Sequence, residues 1–292
     1  MKYKQMNEIN VDNVYYLGPN GSYTHKALEI FLEEYSICAQ KTQEMRTIKS
    51  ILVAIDENVN SLGVVPIENS IEGIVRESID NLIRVNDLEL KIMGEVILPI
   101  NHCLMSKSKD IKNIKTVISH PQALAQCAQY LESTFNNIHI LEETSTSAAA
   151  KRVASLDETY AAIANEMAAK YFDLNILDKS INDEKDNKTR FLLIGRCTMP
   201  QTGLDKTSLV FSTKNISGAL SKVLNVFNKY GINLLYIDSR PSKKNLGEYN
   251  FFIDFEGHIN DETVNSALEE MKPLISFYRY NGSYKKYQNI KI

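Results

Sequence analysis

The sequence predicts an α/β protein with a smaller α+β unit at its C-terminal end, and three observations carry that prediction. Residues 14–195 alternate short β-branched runs with helical periodicity, the pattern of a mostly parallel sheet flanked by helices. CTMPQTGLDK at 197–206 has Pro, Gly and polar residues without periodicity, which marks a boundary. Beyond it the order strand, helix, strand, strand, helix, strand is that of a split βαβ, or ferredoxin-like, unit. The length of 292 residues accommodates two domains of roughly 150 residues each.

The elements follow in order. VYYLG at 14–18 reads as a buried strand running into a Gly/Pro/Asn turn. Ile48, Ile51, Leu52, Ile55 and Val59 keep helical spacing; LGVVP at 62–66 is a strand that Pro66 ends, before a helix around Ile74–Val85. TVIS at 116–119 is a strand, with Pro121 in a first helical turn behind Ser119 as its cap. Leu124, Cys127, Ala128 and Leu131 continue that helix at i, i+3, i+4 and i+7. YAAIA at 160–164 leads into a helix beginning near Asn165. SINDEKDNKT at 180–189 is expected to be a mobile, exposed loop, and RFLLIG at 190–195 the closing strand. In the tail, 208–212, 233–239, 248–255 and 274–280 are strands, the middle two joined by a polar Pro/Lys/Asn/Gly connection. Leu220, Val223, Leu224 and Phe227 make a helix ended by Gly231; Val264, Ala267, Leu268 and Met271 make another stopped by Pro273.

Composition narrows the function classes. With 43% hydrophobic and 24% charged residues the chain is an ordinary globular protein. A net charge of −3 argues against a nucleic-acid partner, so an anionic substrate must be held by a local site. The start MKYKQMNEIN lacks an apolar run, and no stretch nears the roughly 18 apolar residues of a membrane span. The four cysteines lie far apart, which favours reduced cytoplasmic thiols over disulfides or zinc, and the five histidines show no metal-ligand spacing.

Five segments can carry chemistry. GPNGSYTHKA at 18–27 is a strand-to-helix turn whose free amides could bind a carboxylate, or simply turn the chain. PIENSIEG at 66–73 puts Asn69 and Ser70 at a strand's C-terminal end, where open α/β sheets bind ligands; helix capping explains them equally well. SHPQALAQC at 119–127 offers Ser119, His120 and Gln126 at another strand end, although a lone histidine is more often structural. TSTSAAA at 144–150 brings Thr146 and Ser147 to a helix start, with more hydroxyls than capping needs. In KTRF at 188–191, strand alternation puts Thr189 and Phe191 on one face and Arg190 on the other, unless the strand starts later.

In this order and spacing, GPNGSYTHKA, PIENSIEG, SHPQALAQC, TSTSAAA and TRFLLIG closely resemble the prephenate dehydratase family, from about residue 14 to 280. The tail resembles an ACT domain, with SGAL at 217–220 and DSRP at 238–241 matching its phenylalanine-binding motifs. Asp238 stands where the family usually has glutamate. Only about a dozen residues precede the first strand, so no N-terminal chorismate mutase domain is expected.

The resemblance implies a two-lobed catalytic region, similar to periplasmic binding proteins, at 13–197: lobe 1 at about 13–93 and 180–197, lobe 2 at about 94–179. A ferredoxin-like ACT regulatory domain follows at 206–285. It implies conversion of prephenate to phenylpyruvate without a cofactor or metal, because rearomatisation drives loss of CO2 and hydroxide. Thr189 is implied as the hydroxyl on the leaving group, with Asn69, Ser119 and Gln126 as the other catalytic residues. Ser70, His120, Thr146, Ser147, Arg190 and Phe191 are expected to bind substrate. Gly218, Ala219, Leu220, Asp238, Ser239, Arg240 and Pro241 are expected to bind phenylalanine, at the interface of a homodimer or homotetramer. Removing 205–292 should then spare activity and abolish inhibition. Arogenate dehydratase and a non-catalytic amino-acid sensor are the competing readings.

Overall fold

The structure, a computed structural model, describes residues 8–84, 89–242 and 248–288. The first lobe opens with β1 (Ile9–Leu17), α1 (Tyr23–Glu34), β2 (Ile37–Met45), α2 (Ile48–Glu57) and β3 (Ser61–Asn69). β4 (Gly73–Ile74), α3 (Arg76–Arg84) and β5 (Lys91–Pro99) complete its outward half. The second lobe holds β6 (Cys103–Ser106), β7 (Thr116–Ser119), α4 (Pro121–Ala125), α5 (Ala128–Thr134), β8 (His139–Glu142), α6 (Thr146–Val153), β9 (Tyr160–Ala164), α7 (Glu166–Phe172) and β10 (Asn175–Asp178). β11 (Lys188–Gly195) then returns to the first sheet. The tail is β12 (Asp205–Thr213), α8 (Ala219–Lys229), β13 (Leu234–Pro241), β14 (Tyr249–Glu256), α9 (Glu262–Met271) and β15 (Ile275–Lys285). Strand orders are β2-β1-β3-β11-β5, β10-β6-β9-β7-β8 and β13-β14-β12-β15, the last antiparallel throughout, as a ferredoxin-like unit requires.

Apolar periodicity places the helices. α1 starts where Ser22 accepts from the His25 amide, and its Ala27, Leu28 and Phe31 pack on one face of the first sheet with Val64 and Phe191. α2 opens with a capping box of Thr47 and Ser50 and lays Ile48, Ile51, Leu52 and Ile55 on the opposite face. Val59 falls beyond that helix and is 70% exposed, because the stripe ends with Ile55.

Several sequence expectations need correction. β3 continues through Pro66 to Asn69, since the missing proline N–H falls at a register shift: Phe191 pairs with Pro66 and Arg190 with Glu68, leaving Ile67 as the extra bulged residue. Ile74 pairs with Glu68 in β4, so the following helix begins only at Arg76; Val85 lies outside the described residues. The helix after Pro121 breaks at Gln126–Cys127, and its cap is His120, not Ser119. The 180–189 segment is not uniformly exposed: Ile181, Asn182 and Asn187 are buried. Asn182 accepts from the His102 amide at 2.6 Å and donates to Ile100 O at 2.6 Å, stapling the two lobe crossovers together. β5 pairs with β11 through Pro99, so the chain leaves the first lobe after residue 99, a few residues past the expected boundary at about 93. Of the polar connection in the tail, residues 243–247 lie outside the described ones.

The tail is fused to the first lobe. Val210, Phe252 and Tyr284 belong to the same apolar cluster as Ile51, Leu192 and Ile194. Gly282 (φ 142°) lies so close to β5 that a Cβ there would sit 2.2 Å from Ile92 O. Arg190 donates to Glu95 at 2.6 Å and to the Tyr284 hydroxyl at 2.8 Å, and pairs with Asp254 at 2.6 Å; Lys206 joins Glu95 at 2.8 Å. Removing 205–292 would therefore uncover apolar core and strip Arg190 and Glu95 of partners, so the expectation of harmless truncation is dropped.

Candidate active site

The site forms where β3, β11 and the crossovers meet. Strand pairing sets Thr189 opposite Asn69, and Asn69 Nδ2 donates to Thr189 Oγ1 and to Asn187 Oδ1, each at 2.8 Å. Asn187 is held by its carbonyl, which accepts from the Ile100 amide at 2.8 Å, and its Nδ2 reaches Gln126 Oε1 at 3.4 Å. Gln126 sits at the break between α4 and α5 because its carbonyl accepts from the Asp183 amide at 2.8 Å. His102 Nε2 lies 3.2 Å from the same Gln126 Oε1. Thr189, Asn69, Asn187, Gln126 and His102 thus form one polar chain across the two lobes.

All five members are uncharged. Burial pushes the His102 imidazole below its ordinary pKa, a shift that the Gln126 hydrogen bond only partly offsets, so it stays neutral near pH 7. Tyr23 closes one side: its ring meets His102 edge-on at 6.3 Å and its hydroxyl donates to Asn101 O at 2.6 Å. Burial raises that hydroxyl's pKa far above the usual value. Gln126 Nε2 and His102 Nδ1 are buried without a hydrogen-bond partner. Such groups in a native fold call for a ligand or a functional reason. Among the described residues no group of three His, Cys, Asp or Glu side chains could hold a metal ion.

Of the expected catalytic residues, the structure brings together Thr189, Asn69 and Gln126. Ser119 is fully buried, and its hydroxyl donates across the second sheet to Ile163 O at 2.6 Å. Among the expected substrate ligands, Ser70 accepts from the Lys188 amide at 2.9 Å and donates to Asp186 O at 3.3 Å, which staples the loop before β11. His120 uses Nδ1 to cap α4. Ser147 donates to Asn20 O, and Asn165 donates to Gly21 O at 2.8 Å, so these two helix starts clasp the lobes together. Thr146 is half-buried in the first turn of α6. Phe191 is 1% exposed in the apolar core, not a cleft wall, and Arg190 turns to the tail as strand alternation requires. The 18–27 turn holds the protein's own carboxylate: the Asn20 amide donates to Glu44 at 2.9 Å, while the Gly21 amide donates to His25.

Sequence reasoning missed His102, Asn187 and Tyr23. Asn187 lies two residues from Thr189, hence on the same side of the chain entering the strand, and that spacing could have found it. Nothing in the neighbourhood of His102 or Tyr23 signals their meeting, which depends on the crossovers running side by side.

In the tail, Gly218 (φ 77°) caps α8 and lines a depression of about 350 Å³ with Ala219, Leu220, Tyr249 and Phe251. Asp238 and Arg240 pair at 3.0 Å on β13, and Arg240 lies 3.5 Å from Asp80 of α3. Burial raises the Asp238 pKa, with Arg240 opposing. Ser239 and Pro241 are exposed on that edge strand. Within one chain, the residues that line the depression do not include Asp238–Pro241.

Comparison with known proteins matches this architecture. Residues 14–198 match the family model described as prephenate dehydratase, and 207–272 the ACT domain. The chain is 43% identical over 277 residues to a prephenate dehydratase of Methanocaldococcus jannaschii, covering 93% of this chain and 97% of that one. It is 43% identical over 273 residues to a bifunctional chorismate mutase/prephenate dehydratase of Aquifex aeolicus, covering 94% of this chain and 73% of that one. A solved prephenate dehydratase of Arthrobacter aurescens, in complex with L-Phe, is 31% identical with a TM-score of 0.83, covering 94% of this chain and 90% of that one. By these matches, spanning both the two lobes and the tail, the chain belongs to the prephenate dehydratase family.

Proposed function

We propose that the chain converts prephenate to phenylpyruvate at the polar chain running from Thr189 to His102. The carrying observation is the Asn69–Thr189 hydrogen bond: it uses Thr189 Oγ1 as acceptor and leaves the hydroxyl hydrogen to donate. In the reaction the bond from the quaternary ring carbon to its carboxylate breaks, releasing CO2. That electron pair shifts through the ring, the opposite C–O bond breaks, and the departing hydroxide takes up a proton to give water. A threonine hydroxyl is too weak an acid to supply that proton, so Thr189 stabilises developing charge on the oxygen while solvent balances the proton. Gln126 Nε2, buried and unpartnered, suits a substrate carboxylate. Fixed donors in a dry site are worth about 3–4 kcal/mol each.

The test is incubation of the purified chain with prephenate and detection of phenylpyruvate, alongside Thr189→Ala. That variant should lose about a hundredfold or more in turnover with its fold intact. Near-native turnover would remove Thr189 from the mechanism. Arogenate, which differs by an amino group for the keto oxygen, should be run in parallel.

The tail is read as the phenylalanine sensor. The 218–220 depression falls within the roughly 300–1,000 Å³ of small-ligand pockets, and the separation of its two motifs within one chain favours an effector site completed by a second copy. A homodimer or homotetramer follows from that reading, with a coupling of about 1–3 kcal/mol between effector and substrate. The four cysteines are free, and no helix among the described residues is long and apolar enough to cross a membrane; we assign the chain to the cytoplasm.

A further inference from the structure

We infer that His102 is a positioning residue, and that two backbone amides set the donor direction of the whole polar chain. The functional meaning of this inference rests on the reading above. A side-chain amide can point either way round, but a backbone N–H can only donate. The amides of Ile71 and Glu72 lie 3.0 and 2.9 Å from Asn69 Oδ1, which fixes that atom as an acceptor. Asn69 Nδ2 must then face Thr189 and Asn187, making Thr189 Oγ1 and Asn187 Oδ1 acceptors in turn. Asn187 has only its Nδ2 left for Gln126, so Gln126 Oε1 accepts. His102 Nε2, 3.2 Å from that oxygen, has to carry a hydrogen, because two facing acceptors would repel.

The neutral ring is therefore the Nε2–H tautomer, with a bare Nδ1. Gln126 is held from two sides by donors on its oxygen, and its Nε2 cannot turn inward. The chain thus presents two unused donors, the Thr189 hydroxyl at one end and the Gln126 amide beside the other, while the His102 end carries the bare Nδ1 acceptor. That polarity suits a leaving oxygen at Thr189 and a carboxylate at the Gln126 amide, and it is set by the turn after β3.

Long-range 1H–15N NMR of the uniformly labelled full-length protein near neutral pH reads the tautomer directly, with His102→Gln identifying the signal among five histidines. Expected is a protonated Nε2 and an unprotonated Nδ1. An Nδ1–H tautomer or an imidazolium would overturn the inference. In turnover, His102→Leu removes the donor and should lower kcat/KM about 10–100-fold, whereas His102→Gln restores one and should stay within about threefold of native. Equal losses in both variants would reject the positioning role. If the native protein turned over neither prephenate nor arogenate, the functional reading would fail while the tautomer still answered the question of polarity.

Discussion

Replacing Asp254 by asparagine removes one of two carboxylates from a cluster that also holds Arg190, Lys206 and Glu95. The buried members balance, two cations against two anions, with part-exposed Glu68 3.9 Å from Arg190 at the margin, and Asp254 is 0% exposed. After the substitution the two cations share one buried carboxylate, Glu95, and the longer contact to part-exposed Glu68 offsets little of the remaining positive charge. Breaking a buried pair this way costs about 3–5 kcal/mol. At about 2–4 °C per kcal/mol for a protein of this size, the melting temperature should fall by about 6–20 °C. Arg190→Met should cost a similar amount, because it leaves Asp254 unpaired. The double variant keeps Lys206 and Glu95 as a balanced pair, so its loss should fall short of the sum of the singles by about 2 kcal/mol or more. Scanning calorimetry on all four proteins is the assay. Additive losses, or single shifts below about 2 °C, would refute the claim that charge balance across this junction holds the tail to the catalytic lobe.

Gly282→Ala should destabilise the protein by about 1–3 kcal/mol, because its Cβ meets Ile92 O at 2.2 Å with φ at 142°; an unchanged denaturation midpoint would contradict the close docking of β15 on β5. Ser147→Ala removes the donor to Asn20 O and should loosen the lobe clasp, raising KM together with the radius of gyration in X-ray scattering. A raised KM at constant radius would instead make Ser147 a direct substrate ligand. Burial would raise the Glu95 pKa, but Arg190 and Lys206 override it and hold the carboxyl below its usual value. Its contribution to stability is therefore complete above the unfolded carboxylate pKa and disappears as pH falls through the lower folded value. Glu95→Gln should flatten the acid side of the melting-temperature profile, and an unaltered slope would count against the pairing.

The sequence displayed elements whose burial is one-sided or complete, such as β1, β3, α2 and the tail's βαββαβ order. It hid β2, whose ICAQKTQEM is exposed at nearly every position after Ile37, and β8, whose HILE is mostly exposed: edge strands bury too little to show a period. The break at Gln126–Cys127 was equally silent, because the apolar spacing runs straight across it. In the site, Thr189, Asn69 and Gln126 could be placed through motif resemblance, while Ser119, Phe191 and Arg190 sat in the same motifs for packing or pairing. Alternation did give Arg190's face, but its partners come from the tail, far off in sequence. His102 meets Gln126 where Asn182 also staples the crossovers, contacts that no local pattern encodes.

The position of β11 between β3 and β5 has a consequence for biosynthesis. As the chain emerges from the ribosome, the first lobe has an open slot in the middle of its sheet until residues 188–195 arrive. The strands of the second lobe, continuous from Cys103 to Asp178, and Ile181 of its core have all emerged before then. Thr189 thus arrives late, after every strand of the opposing lobe, and the nascent first lobe exposes unpaired strand edges meanwhile.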